Sequence, residues 1–271
     1  MPSRRSAGKR AGMTEPRVLP LEGIHNFRDY GGYPVAGGGR VKRGLLWRSG
    51  HHADAIESDL VSVDAISLAH VFDMRGNSER ERNTCRRSTG FSAQVHFFDG
   101  ETASLAPHLE AADGALDVES AHRAMERIYR ELPNREPVLW ILRRYFAALA
   151  NGDGASLVHC YAGKDRTGMA VALLHHALGV HPDDAMDDFL ATNRAHNNEA
   201  RIASGYAAVK DKYRAADEAT VRVLMGVDAR YLFAMREAVE AEYGSLDVFL
   251  DQVLGVTPQV CDALRLHLTH A

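Results

Sequence analysis

The run Val158-His159-Cys160-Tyr161-Ala162-Gly163-Lys164-Asp165-Arg166-Thr167-Gly168 constrains this chain more than any other segment. It is entered from Ser156-Leu157-Val158, a short apolar stretch that reads as a buried strand. It leaves into Met169-Ala170-Val171-Ala172-Leu173-Leu174, which is apolar on every side and so reads as a buried helix. Gly179 stops that helix, and Pro182 with Asp183 and Asp184 opens the next. A strand, a tight loop and a helix in that order form a turn at the C-terminal edge of a parallel sheet, where open α/β sheets bind ligands. The helix start aims unpaired backbone N–H groups and a partial positive charge into the loop, which suits an anion.

Five residues separate Cys160 from Arg166. A loop of that length wraps around one tetrahedral oxyanion, with the amides of Tyr161, Ala162, Gly163, Lys164, Asp165 and Arg166 turned inward and Arg166 gripping two oxygens. Such a field also favours a thiolate over a thiol, and a thiolate beneath a bound phosphate is a nucleophile.

The rest of the chain supplies the sheet and helices. Gly31-Gly32 and Gly37-Gly38-Gly39 bracket Tyr33-Pro34-Val35 and predict a hairpin ending in Arg40-Val41. Strands are expected at Leu45–Trp47, His70–Phe72, Val95–Phe98 and Ser156–Val158. Helix faces are marked by Ile56, Leu60 and Val63, by Ala121 to Leu132, and by Ile141 to Leu149. The alternation predicts an α/β fold with a mostly parallel central sheet flanked by helices, and from Arg166 onward the pattern is wholly helical. With 271 residues and no Pro- or Ser-rich linker between the halves, one domain over 21–271 is expected, behind a basic tail over 1–20. No apolar stretch follows the tail's charges as a secretory signal requires, and no run of about 18 apolar residues occurs. The location expected is the cytoplasm, or outside the cell by a non-classical route. A formal charge of -4 argues against a nucleic-acid partner, and three cysteines without CxxC spacing argue against a disulfide or zinc scaffold.

His159-Cys160 to Arg166-Thr167 resembles the HCx5R[ST] loop of cysteine-dependent protein tyrosine phosphatases. His25-Asn26-Phe27-Arg28-Asp29-Tyr30-Gly31-Gly32, Trp47-Arg48-Ser49, Asp73-Met74-Arg75 with Glu79, and Tyr243-Gly244-Ser245-Leu246 are similar to further motifs of a bacterial branch of that family. The resemblance runs from about Leu21 to the end of the chain.

That resemblance implies a phosphatase fold and two-step hydrolysis of phosphotyrosine, with phosphoserine, phosphothreonine and phosphoinositides as further substrates. Cys160 would attack phosphorus and Arg166 with the loop amides would hold the phosphoryl oxygens. Thr167 would support the sulfur as it leaves and His159 would orient the loop. Phosphate would be the product, and neither metal nor cofactor is needed. Two residues stand level as general acid: Asp165 in the loop, and Asp99 at the end of the Val95–Phe98 strand. Lys164 offers either a second phosphate contact or a partner for Asp165. Asp73, Arg75 and Glu79 are expected to brace the loop as one buried ion network, with Arg28 in a similar role. Ile202, Tyr206, Val209 and Tyr213 have helical spacing, and the resemblance implies that 194–227 forms a lid. The adjacent pair His175-His176 is read as core or surface groups rather than metal ligands, and His51-His52, after Ser49 at a strand end, as bordering the pocket with no chemistry of their own. A phosphatase acting mainly on phosphoinositides, a sulfurtransferase or arsenate reductase, and an inactive phosphate-binding module are the alternatives; the loop length with Thr167-Gly168, and the presence of both Cys160 and Arg166, favour a phosphatase over the last two.

Overall fold

A computed structural model describes residues 17–102, 117–203, 206 and 217–270. In chain order, β1 (Arg17–Val18), β2 (Arg28–Asp29), β3 (Arg40–Val41) and β4 (Leu46–Ser49) precede α1 (Glu57–Asp64) and β5 (Leu68–Asp73). Next come α2 (Asn77–Arg82), β6 (Gln94–Phe97), α3 (Val118–Glu131), α4 (Glu136–Asn151) and β7 (Ala155–His159). The remaining elements are α5 (Asp165–Leu178), α6 (Pro182–Leu190), α7 (Glu218–Met225), α8 (Ala229–Tyr243), α9 (Leu246–Gln252), α10 (Pro258–Leu268) and β8 (Thr269–His270).

The main sheet runs β1-β2-β4-β7-β5-β6. β4, β7, β5 and β6 run parallel to one another, while β1 and β2 add an antiparallel edge against β4. Alternation along the central strands divides the core. Leu46, Val158 and Phe72 point into a large cluster with Tyr145 and Phe146 of α4 and Met169 and Leu173 of α5. Trp47, Leu157 and Val71 point the other way, into a smaller cluster with Phe27, Leu60 and Val63. Central strands covered on both faces read as near-continuous apolar runs, which is why they stand out in the sequence.

The register matters most for the site. Ser49 of β4 pairs with His159 of β7, and His159 with Asp73 of β5, which pairs with Phe97 of β6. Gly50, Cys160, Met74 and Phe98 therefore leave the sheet side by side. α5 returns behind β7 and ends at Gly179, whose φ of 80° is the left-handed cap that glycine adopts without strain.

Two features differ from the sequence expectation. The second half is not wholly helical: β8 pairs with β3, so the predicted hairpin strand Arg40–Val41 becomes half of a small second sheet. The pairing is non-local and two residues long, too short for periodicity to signal. At the other end, β1 pairs with β2, and Leu19 donates its N–H to the Phe27 carbonyl at 3.1 Å, so the sheet begins within the first 20 residues. Residues 1–16 of the expected tail, and 204–205 and 207–216 of the expected lid, lie outside the described residues.

Candidate active site

Cys160 is buried at the end of β7, and the loop that follows turns back over it into α5. The loop's shape is held from outside. The Tyr161 carbonyl accepts from the His51 N–H at 3.0 Å. The Gly163 carbonyl accepts from Asn26 Nδ2 at 2.8 Å and Arg48 Nη2 at 2.9 Å. In a trans peptide the N–H points opposite to the C=O, so anchoring these carbonyls outward turns the Ala162 and Lys164 N–H groups inward. Gly163 has φ +66°, and a Cβ there would meet the Ser49 carbonyl carbon at 2.3 Å. Only glycine fits so close to β4.

Beneath the loop lies a buried ion cluster. Arg28 Nε and Arg48 Nη1 reach the two carboxylate oxygens of Asp188, at 3.2 and 2.6 Å. Two guanidiniums against one carboxylate leave a net positive charge under the anion site. Burial and the neighbouring Arg48 pull the Arg28 guanidinium down to about 10, still charged at neutral pH. Burial opposes ionisation of Asp188, but the two arginines overcome it and hold the carboxyl well below its usual range.

Arg166 is placed with equal care. Its Nη1 and Nη2 donate to the two oxygens of Glu79 at 2.6 and 2.7 Å, and Nη1 also reaches the Met74 carbonyl and Thr102 Oγ1, at 3.0 and 2.8 Å. Glu79 grips one edge of the guanidinium. On the Nε edge no acceptor is found among the described residues, which leaves that fork for two oxygens of a bound oxyanion. Burial would weaken the charge on Arg166, but the Glu79 pairing holds its pKa above the ordinary arginine value. Asp73 and Arg75 form a separate bidentate pair, with Nε to Oδ1 at 2.9 Å and Nη2 to Oδ2 at 2.7 Å. Burial disfavours the Asp73 carboxylate, yet His159 and the Arg75 guanidinium hold it at about 2. Burial keeps His159 neutral, pulled down to about 4, with its Nε2 3.7 Å from Asp73.

The two candidate acids sit in different places. Asp165 Oδ1 accepts from Tyr129 Oη at 2.9 Å and Lys164 Nζ at 3.1 Å, at the start of α5 beside the loop. Asp99 is exposed beyond β6 and accepts from Asn77 Nδ2 at 2.9 Å. It shares the sheet edge with Cys160, but β5 intervenes, and two strand spacings are about 10 Å. Lys164 is buried. Its ammonium bonds Asp165 and, at 3.2 Å, the Gly226 carbonyl at the end of α7, which ties the loop to the C-terminal end of the expected lid segment. Thr167 Oγ1 is buried with no hydrogen-bond partner among the described residues.

Of the paired histidines, His52 bonds Ser49 Oγ at 3.0 Å, His175 bonds the Tyr30 carbonyl at 3.0 Å, and His176 meets Asp247 at 2.7 Å. Asp73, Cys85 and His159 lie close enough to suggest metal ligands. The Arg75 guanidinium already stands among them, donating to Asp73 and, at 3.1 Å, to Cys85 Sγ, so the place of a cation is filled.

The sequence motifs group Glu79 with Asp73 and Arg75 in one bracing network; the structure gives Glu79 to Arg166 instead. Sequence reasoning assigns no role to Asn26, Arg48, Tyr129 or Asp188. Arg48 and Asn26 are visible inside motifs, and a charged residue in an apolar strand such as Leu45-Leu46-Trp47-Arg48 is a signal in itself. Asp188 sits in an ordinary acidic helix, and nothing local marks it.

Comparison with known proteins agrees with this geometry. A model of the tyrosine phosphatase family matches residues 19–270. A protein of Cupriavidus necator named as a tyrosine-protein phosphatase is 33% identical over 252 residues, covering 88% of this chain and 84% of its own. The triple specificity protein phosphatase PtpB of Mycobacterium tuberculosis is 28% identical over 275 residues, covering 92% of this chain and 98% of its own.

Proposed function

Because the chain belongs to the tyrosine phosphatase family, we propose that it hydrolyses phosphotyrosine through a cysteinyl-phosphate on Cys160. The observation that carries this reading is the juxtaposition of Cys160 with a loop whose carbonyls are anchored outward and whose Arg166 keeps one donor edge unengaged. A dianionic phosphoryl group seated in the loop meets inward N–H groups, the start of α5 and the Arg166 fork.

In the first step the Cys160 thiolate attacks phosphorus and the P–O bond to the tyrosyl ring breaks. A proton passes to the departing phenolate, and Asp165 is the donor we favour. Support for Asp165 over Asp99 is its place beside the loop, where Tyr129 and Lys164 orient it. In the second step Asp165 takes a proton from water, water oxygen bonds to phosphorus and the S–P bond breaks. The Thr167 hydroxyl, which has no other partner among the described residues, is available to the returning thiolate. Phosphoryl transfer is loose and little covalent chemistry falls to the protein, so positioned charge supplies most of the acceleration.

The printed name of the mycobacterial relative attributes triple specificity to that protein. For this chain a broader range, phosphoserine, phosphothreonine and phosphoinositides included, is a second proposal. It rests on Lys164, whose ammonium could turn from Asp165 to a second phosphate. Among the described residues no helix is long and apolar enough to cross a membrane.

Hydrolysis of para-nitrophenyl phosphate by the wild type and by Cys160→Ser tests the reading. Turnover by the wild type and none by the variant is expected. An inactive wild type, or a variant that keeps its rate, would overturn it. Release of phosphate from a soluble inositol phosphate headgroup, set beside a phosphotyrosine peptide, tests the second proposal.

A further inference from the structure

A second cavity opens beside the loop, about 260 Å³ in volume, and Tyr161 forms part of its wall. Glu22, His25, His51, Asp54 and Arg201 line it as well. Arg201 belongs to the short helical stretch 198–203, and its N–H bonds back to the Asn197 carbonyl at 3.2 Å. That stretch is fixed to the fold by Ile202, which is buried, and by the contact of Asn197 Oδ1 with His25 Nδ1. Arg201 Nη1 is sealed from solvent and has no hydrogen-bond acceptor among the described residues. The groups that favour its charge are Tyr161, Cys160 and Asp165, all in the loop; burial opposes them and lowers the guanidinium's pKa. A guanidinium nitrogen sealed from water without an acceptor carries a desolvation cost that a bound anion would offset.

The cavity is two-toned. Arg201 supplies a guanidinium to the lining, while Glu22 and Asp54 supply carboxylates, and neither bonds Arg201 Nη1. The Tyr161 ring lies against His51, their centroids 4.8 Å apart, and is 40% exposed, so it forms a wall shared by the cavity and the loop mouth.

We infer that this cavity is a specificity subsite, in which Arg201 binds an acidic side chain next to the phosphotyrosine of a peptide substrate. The size suits one side chain. Glu22 and Asp54 can accept from the amides of an extended peptide while Arg201 takes its acidic side chain, and an anionic bilayer surface lacks those amide donors, so a peptide fits the lining better than a lipid headgroup in its bilayer. Arg201 is thus a binding residue for the flanking sequence, acting beside Arg166 and not in its place. The inference rests on the phosphatase reading above for its substrate, but the cavity can be tested without turnover.

The experiment uses the full chain and three phosphotyrosine peptides that differ at one flanking position, carrying Glu, Gln or Lys, with the position scanned on both sides. The wild type should show a kcat/KM for the Glu peptide roughly tenfold above the Gln peptide at its best position, the size of one charge-assisted hydrogen bond. Arg201→Gln should remove that ratio, and Arg201→Glu should invert it in favour of the Lys peptide. Binding of the same peptides to Cys160→Ser, with and without Arg201→Gln, measures the preference where no hydrolysis occurs. No turnover of any peptide by the wild type would sink the phosphatase reading alone. Equal binding of the Glu and Gln peptides at every position, or a preference that survives Arg201→Gln, would sink the subsite.

Discussion

Glu79 grips Arg166 through two hydrogen bonds of 2.6 and 2.7 Å, across 87 residues of sequence. Glu79 sits in the first turn of α2 and also accepts from the Gly76 N–H at 3.0 Å, so the helix start fixes the carboxylate and the carboxylate fixes the guanidinium. Glu79→Gln keeps the shape but loses one ionic contact. The variant should remain folded while kcat/KM on para-nitrophenyl phosphate falls roughly 10- to 100-fold. If the same fork binds product, as proposed, inhibition by inorganic phosphate should weaken in parallel. An unchanged inhibition constant would remove Glu79 from this role.

Gly163 has no room for a side chain. With φ +66° and the Ser49 backbone 2.3 Å from where a Cβ would stand, Gly163→Ala must push the loop away from β4. The Gly163 carbonyl then loses Asn26 and Arg48, and activity should drop at least about tenfold, with roughly 1–3 kcal/mol of stability lost. Kinetics and urea unfolding of the purified variant check both figures.

Arg48 is the hinge between the loop and the buried ions. Arg48→Met removes a donor to Gly163 and leaves Asp188 with Arg28 alone. Asp188 keeps one counter-charge, so the loss is that of hydrogen bonds to Asp188 and the Gly163 carbonyl, roughly 1–3 kcal/mol, and the urea midpoint should fall. A variant as stable as the wild type would show that Arg28 suffices for Asp188.

The acid can be assigned by leaving group. Asp165→Asn should slow hydrolysis of phenyl phosphate, a poor leaving group, by roughly 10²–10⁴-fold, and para-nitrophenyl phosphate much less. Asp99→Asn, at an exposed bond to Asn77, should change neither by more than about twofold. The reverse pattern would give the role to Asp99.

Acid should unfold the protein in stages. Burial holds His159 at about 4 and His25 at about 3, against an ordinary value of 6.5. The unfolded chain binds protons at these groups where the folded chain does not, so their contribution is complete above pH 6.5 and declines as pH falls toward 4. Asp73, at about 2, adds stability present above its unfolded value and lost only below it. The melting temperature should therefore fall by roughly 10 °C between about pH 7.5 and 5. A constant melting temperature over that window would contradict the buried neutral histidines.

Much of the site is legible in the sequence because it is local. Cys160 and Arg166 lie on one loop, and a strand, five residues and a buried helix place both without help from elsewhere. The central strands are equally plain, since burial on both faces leaves unbroken apolar runs. What escapes are partners brought in by the sheet order. Asp188, 140 residues from Arg48, carries no local mark, and β8 finds β3 through two residues. Asp99 and Asp165 look alike in sequence, because each follows a strand end on the same edge.

By itself, then, the sequence determined the strand–loop–helix turn that carries Cys160 and Arg166, because chain geometry over a few residues dictates it. Only the tertiary structure decided which carboxylate holds Arg166, what turns the Gly163 carbonyl outward, and which acid lies beside the loop. Those choices depend on strand order and register, set by the packing of the whole core.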